Sequence, residues 1–376
     1  MEILPIARAF RLKAEPVTSW VSVLPVGRIK QCLSGMMAKH FRLFLALSKG
    51  AGMVRSLFPE QAPPVDLVFV VPEYVRGWIL EGIAKEIARY FPGTCRFHYS
   101  VRALPNAKAY FFVHYGTLAG AYKLNPVLWR RRVFVYYTHP RDDLGIDQRE
   151  LLYLLNQIDR VFCMGSLFVA FLQSQGIDAG RAVYVLGGAD PGVFLPRERG
   201  GGKVGFCTAF YARKSPDKIL GIVKAMPHRN FLLIGRDWNR YERFSELVSL
   251  PNFEYVEAPY DEYPQLYRQM DVFVSVSRLE GGPIPLLEAM MCNVVPVASR
   301  TGFAPDIIQH GENGFLFDVN EGVPAICRLI DEAMALQANV RETAENYSWR
   351  NFAGQVSALM GFKTGPAPGT KQLIVV

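Results

Sequence analysis

Cysteine is sparse and scattered in this chain. Cys32, Cys95, Cys163, Cys207, Cys292 and Cys327 form no C-x-x-C pair, and several lie in apolar runs such as Val161-Phe-Cys-Met164. The pattern offers neither a structural zinc site nor a disulfide framework, and a reducing cytoplasm is the expected compartment. No apolar run approaches the roughly 18 residues that cross a bilayer; the nearest, Phe41 to Leu47, is interrupted by Arg42. The first 20 residues lack the apolar stretch and small-residue cleavage site of a secretory signal. Arg8, Arg11 and Lys13 would suit an organellar presequence, but Glu2 and Glu15 count against one. No G-x-G-x-x-G follows a candidate strand, which argues against a nicotinamide dehydrogenase. No D-x-D and no histidine pair at ligand spacing occurs, so neither a metal nor another cofactor is expected.

Acidic residues are scarce at the start of the chain. Residues 1–60 hold nine Lys or Arg against three Asp or Glu, and the whole chain carries a formal charge of +8. Most of the excess therefore sits in a basic N-terminal extension, residues 1–62. Aromatic-basic clusters and nucleic-acid motifs are absent downstream, so nucleic acid is not the expected partner. An anionic membrane surface fits better, which places the protein in the cytoplasm with peripheral docking on the inner face of a membrane. Residues 36–49 have helical periodicity. Met36, Met37, Phe41, Leu43, Phe44, Leu45 and Leu47 share one arc, and Lys39, Arg42 and Lys49 share the other. Such a helix either packs on the first domain or lies along a membrane.

Two stretches of strand-then-helix grammar follow. Asp66–Val71, Ala109–Val113, Val133–Tyr137, Val161–Met164 and Val183–Leu186 are short apolar runs rich in β-branched and aromatic residues. Gly187-Gly-Ala-Asp-Pro-Gly192, Pro196 and Gly200-Gly-Gly202 then mark a boundary, and the pattern restarts. Val204–Cys207, Phe231–Gly235, Phe253–Val256, Val272–Val276 and Val294–Ala298 form the second set. Continuous apolar runs alternating with helical segments predict parallel sheets covered on both faces. The expected architecture is α/β, with two Rossmann-like domains facing across a cleft, at 63–190 and 191–346. A closing helix at 347–362 and a tail at 363–376 complete the chain.

The chemistry concentrates in Ser275-Val-Ser-Arg-Leu-Glu-Gly-Gly-Pro-Ile-Pro-Leu-Leu-Glu-Ala-Met290. A strand ends near Ser277, a glycine turn carries Glu280, and a helix starts near Pro283 with Glu288 inside it. Free amides of Gly281, Gly282, Ile284 and Leu286 at the helix start predict an anion site suited to a diphosphate. The flanking carboxylates can bind hydroxyl groups. Two glutamates eight positions apart occur by chance in most proteins, so their surroundings must carry the reading.

Those surroundings resemble the retaining GT-B glycosyltransferases of family 4, the "group 1" glycosyltransferases. The resemblance rests on Asp271-Val-Phe-Val-Ser-Val-Ser277, Glu280-Gly281, Pro283, Glu288-Ala-Met290, Val294-Val-Pro-Val-Ala-Ser299, Thr301-Gly302 and Gly311-Glu-Asn-Gly-Phe-Leu-Phe317. Gly187–Asp190 with Phe194 and Pro196, Asp159–Ser166, and Tyr347-Ser-Trp349 extend it over roughly residues 65–362. The resemblance implies a hexosyltransferase that moves a sugar from a nucleotide-diphosphate-sugar donor to an acceptor hydroxyl with retention and without a metal. It also implies that the closing helix crosses back to the first domain. Glu280 would face the donor sugar, Glu288 would hold the ribose hydroxyls, and Arg213 and Lys214 would hold the diphosphate. His139 would face the sugar from the first domain, with His114 at a comparable strand end. Arg213 and Lys214 are adjacent where the family separates its pair, and Ala209-Phe210 stands in the expected arginine region. Asn293 replaces a common glycine, and Pro72-Glu-Tyr-Val-Arg-Gly77 lacks the usual paired glycines. The acceptor is expected to be lipid-linked. A catalytically silent GT-B binding protein and a nucleotide-sugar epimerase of the same fold are the alternatives.

Overall fold

The structure is a computed structural model that describes residue 43 and residues 45–54, 65–141 and 146–362. The basic extension up to residue 42 and the tail from 363 lie outside the described residues. Among them no helix is long and apolar enough to cross a membrane.

Two six-stranded sheets organise the chain. The first contains β1 (Val65–Val70), β2 (Cys95–His98), β3 (Ala107–Phe112), β4 (Arg132–Tyr137), β5 (Arg160–Cys163) and β6 (Ala182–Tyr184), ordered β2-β1-β3-β4-β5-β6. The second contains β7 (Lys203–Cys207), β8 (Phe231–Ile234), β9 (Phe253–Val256), β10 (Met270–Ser275), β11 (Val295–Ser299) and β12 (Phe315–Phe317), ordered β12-β11-β10-β7-β8-β9. Every pairing is parallel. Helices cover both faces, so the central strands bury nearly every side chain: Val272, Phe273 and Val274 of β10 are all buried. Each such side chain contributes about 1.5–3 kcal/mol of transfer free energy. This is the two-domain α/β arrangement read from the sequence. Strands β2 and β12 are additional. In each sheet the order reverses once, between β1 and β3 and between β7 and β10, and open parallel sheets bind ligands outside the carboxyl ends at such a switch point.

The domains are tied by the crossover that the closing helix makes. Gly188 N donates to the Tyr347 carbonyl (3.0 Å), and Ala189 pairs with Ser348. A Cβ on Gly187 would sit 2.5 Å from the Phe352 Cβ, and one on Gly188 would sit 2.3 Å from Ile284 Cδ1. Only a bare backbone lets this strand-like segment pass between the domains. The helix Trp349–Leu359, capped by the Ser348 hydroxyl, lies against Ile79–Tyr90 of the first domain. Its final carbonyls accept from first-domain guanidinium groups, Met360 O from Arg132 (2.8 Å) and Leu359 O from Arg160 (3.0 Å). Cations at a helix C-terminus satisfy orphan carbonyls and complement the dipole.

The N-terminal helix runs through 45–54. It packs on the first domain, but by a narrow stripe rather than by the full apolar arc. Leu45, Ser48 and Gly52 face inward. The Ser48 hydroxyl donates to the Tyr122 carbonyl (2.7 Å) and accepts from Trp129 Nε1 (3.2 Å). Gly52 lies so close to the Pro126 carbonyl that a Cβ would stand 2.7 Å from it.

Candidate active site

The switch point of the second sheet gathers the charged groups. After β7 the chain enters the short 3-10 turn Ala212–Lys214, and Ser215 closes it in the left-handed region (φ 53°) before the helix Pro216–Ala225. After β10 it reaches Glu280. The two loops are stitched together: Arg278 N donates to the Arg213 carbonyl (2.8 Å), and Arg213 Nη1 donates to the Leu279 carbonyl (3.0 Å). Lys214 Nζ donates to Glu280 Oε1, and Arg213 Nη1 stands 3.5 Å from Oε2. Burial would by itself raise the Glu280 pKa, but Lys214 first, then Arg213 and the Ser277 hydroxyl, outweigh it and hold the carboxyl below its ordinary value. Glu280 is therefore a buried, ionised carboxylate held by two half-buried cations.

A second set of contacts fixes where that carboxylate sits. The Glu280 amide donates to Thr301 Oγ1 (3.1 Å), and the Ser299 hydroxyl donates to the Ser277 carbonyl (2.6 Å). Gly302 has φ 59°, and a Cβ there would meet the Glu280 Cβ and the Pro283 Cδ, each at 2.9 Å. Asn293, at the end of the following helix, adopts φ 64°, the left-handed region its short polar side chain tolerates. Its Oδ1 accepts from the Val340 amide (3.0 Å).

The helix start differs from the expectation of four free amides. Ile284 N donates to the Gly282 carbonyl (2.9 Å) and Leu286 N to the Pro283 carbonyl (2.8 Å), because the turn tightens around Pro283. The Ile284 side chain is buried against Gly188. Ile284 thus has no amide to offer an anion. Gly281 and Gly282 do, since no hydrogen bond among the described residues uses their amides. Both glycines abut the first domain: a Cβ on Gly281 would stand 2.9 Å from the Thr138 carbonyl, and one on Gly282 would stand 2.5 Å from the Met164 sulfur.

Glu288 lies within the helix Ile284–Met291 and is 2% exposed. Tyr260 donates to its Oε1 (2.5 Å) and Tyr267 to its Oε2 (2.8 Å). Burial dominates here and pushes the pKa up to about 7, against the lowering effect of the two phenols. The Tyr267 ring is fully buried, whereas that of Tyr260 is largely exposed, so the Tyr260 side is the one that opens to solvent. The two tyrosines come from the loop after β9 and the helix Tyr263–Tyr267. Their spacing, with Tyr263 between, is the one signal that could have found them.

The first domain contributes His139, just past β4. Burial chiefly, then the charges of Arg213 and Arg141, depress its pKa to about 4, while Glu280 pulls the other way. His139 is thus neutral at physiological pH and within electrostatic reach of the Arg213–Glu280 pair. Its Nδ1 is buried with no hydrogen-bond partner. His114 is engaged differently. Its Nδ1 accepts from Gly116 N (3.0 Å), and its ring stacks on Tyr115 at 5.1 Å. Nearby the domains are joined by Asp306, which accepts from the amide (2.9 Å) and hydroxyl (2.5 Å) of Ser166, at the start of the helix Ser166–Ser174.

Residues 201–350 match the family model described as glycosyl transferases group 1. Sulfoquinovosyl transferase SQD2 of Arabidopsis thaliana is 30% identical over 146 residues, 36% of this chain and 29% of that protein. N-acetyl-alpha-D-glucosaminyl L-malate synthase of Bacillus anthracis is 34% identical over 99 residues, 25% of this chain and 26% of its own. The chain thus spans less than a third of the length of either relative. The solved structure of Anabaena Alr3699/HepE in complex with UDP superposes with a TM-score of 0.64 at 14% identity, covering 79% of this chain and 100% of that one. That likeness is one of fold, two parallel α/β sheets in tandem. Residues 201–350, which hold Arg213, Lys214, Glu280 and Glu288, are thus similar to the glycosyl transferases of group 1, and the chain has the GT-B fold.

Proposed function

We propose that this protein transfers a hexose-type sugar from a nucleoside diphosphate donor to an acceptor hydroxyl, with retention and without a metal ion. The observation that carries the reading is the convergence of Lys214 and Arg213 on Glu280 at the switch point of the second sheet. The unused amides of Gly281 and Gly282 lie beside it. In this reading the diphosphate shares the two cations with Glu280 and takes the glycine amides. As the bond from the anomeric carbon to phosphate breaks, its electron pair goes to the phosphate oxygen. The growing charge is met by an ammonium and a guanidinium already held in place. The acceptor oxygen bonds to the anomeric carbon on the face the phosphate leaves, and its proton passes to the departing phosphate oxygen. Retention follows from that shared face and rests on the family resemblance.

The remaining residues take positioning roles. Glu280 accepts from sugar hydroxyls, and neutral His139 turns its unpartnered imidazole toward the sugar from the other domain. Glu288 accepts from the ribose hydroxyls on the side that Tyr260 occupies. The UDP held by the structurally similar Anabaena protein supports a nucleoside diphosphate as the leaving group. A donor panel with lipid-linked and soluble hydroxyl acceptors, read as nucleoside diphosphate release in the presence of EDTA, tests the proposal. Turnover with at least one donor, and a product of unchanged anomeric configuration by NMR, is the expected result. Donor binding without turnover across the panel would replace it with a silent binding protein.

A further inference from the structure

The N-terminal helix packs by a narrow stripe and leaves most of its large apolar side chains facing outward. Ser48, Gly52 and Leu45 are what it turns to the first domain. Leu43, Leu47, Met53 and Val54 are each more than half exposed. At about 100° per residue, Leu43, Leu47 and Val54 fall within one narrow arc, with Met53 on its flank. No charge interrupts that arc, and Lys49 stands at its edge with its ammonium over the Trp129 ring at 5.4 Å. Leu124, two residues before the Pro126 that seats Gly52, adds a further exposed apolar side chain beside exposed Lys123. An ordinary surface helix has the opposite polarity.

Charge says what covers this face. The helix belongs to a stretch, residues 16–59, that carries Arg28, Lys30, Lys39, Arg42, Lys49 and Arg55 and no Asp or Glu. The segment it packs on belongs to another, residues 87–141, with nine Lys or Arg and again no Asp or Glu. An apolar helix face whose own and supporting stretches of sequence carry cations and no carboxylate complements a bilayer that bears anionic headgroups. We propose that the outward face of this helix docks the protein on an anionic lipid surface, with Leu43, Leu47, Met53 and Val54 entering the boundary between headgroups and acyl chains. The inference stands apart from the transferase reading, since none of these residues lies in the cleft.

Flotation of the full chain with phosphatidylglycerol-containing and pure phosphatidylcholine vesicles tests it. The wild type is expected to partition onto the anionic vesicles at least about tenfold better, and to be released as salt rises from about 0.05 to 0.5 M. The triple variant Leu43→Gln, Leu47→Gln, Met53→Gln should lose at least about tenfold in partitioning. Its circular dichroism and its thermal shift with nucleoside diphosphate should stay those of the wild type, because the replaced side chains are solvent-facing. A triple variant that floats like the wild type would overturn the proposal. So would a lipid-free wild-type dimer, seen by sedimentation, that the triple variant dissolves, for the face would then belong to a second copy.

Discussion

Replacing Glu288 by glutamine isolates a buried carboxyl whose protonation the structure sets. Its folded pKa is raised from 4.5 to about 7 by burial. The folded state therefore prefers the protonated form. The stability this group contributes is complete below the unfolded value near 4.5 and is lost as pH rises through 7. Integrating the linkage between pH 5 and pH 8 gives a loss of about 2.5 kcal/mol from this one group. Glutamine has the same shape, still accepts from one phenol, and does not titrate. Urea unfolding of both proteins at pH 5 and pH 8, followed by tryptophan fluorescence, should show the wild type losing about 2.5 kcal/mol more than the variant across that interval. Every other titrating group is common to both and cancels. A double difference below about 0.5 kcal/mol would mean that Tyr260 and Tyr267 keep Glu288 ionised at pH 5, and the burial argument would fail. The same titration reaches function. If Glu288 holds the ribose as proposed, its ionised form is the strong acceptor of the ribose hydroxyls, and at pH 6 about one molecule in ten carries it. Donor Kd for the wild type should therefore tighten about tenfold from pH 6 to pH 8, while that of the variant stays flat. His139, neutral above about 4, adds no titration in that window.

Other perturbations follow from the same contacts. Lys214→Met removes the ammonium on Glu280 and should lower turnover about a hundredfold to a thousandfold with an unchanged circular dichroism spectrum; a rate within threefold of wild type would remove Lys214 from the chemistry. Gly302→Ala forces a side chain into the left-handed region and against Glu280 and Pro283. A loss of about 1–3 kcal/mol in urea midpoint analysis is expected, with weakened donor binding. Asp306→Ala removes both acceptors from Ser166 at a helix start and across the domain junction. It should cost about 1–2 kcal/mol, and small-angle scattering should show a larger radius of gyration if that link holds the domains together.

Much of the fold is visible in the sequence because parallel strands buried on both faces advertise themselves. Val133–Tyr137 and Val272–Val276 are continuous apolar runs that no solvent-facing element would carry. Strand β2, Cys95–His98, escapes for the complementary reason: it lies at a sheet edge, is only partly buried, and alternates with Arg96 and His98. Strand β12 is three residues long, too short to show a period, although its Phe315-Leu-Phe317 stands inside a motif. The N-terminal helix shows the limit of periodicity. The sequence reveals a broad apolar arc, but which part of it meets the domain is decided by Tyr122 and Trp129, far along the chain, reaching Ser48.

The site divides along the same line between local and distant partners. Strand, glycine turn and helix around Glu280 follow from nearby residues, whereas the hydrogen bonds of Glu288 come from Tyr260 and Tyr267 on another crossover. The glycine turn joins the two kinds of information. Gly281 and Gly282 hold the amides left for an anion, and they are also where the second domain presses on Thr138 and Met164 of the first. His139 directly follows Thr138. A group bound at those amides therefore lies at the seam that sets how far His139 stands from Glu280. Side chains at 281 or 282 would move the first-domain loop before they blocked any ligand. Glycine is required here by the contact it permits rather than by its amides, which any residue but proline would supply, and that requirement could not be seen until the two sheets were placed face to face.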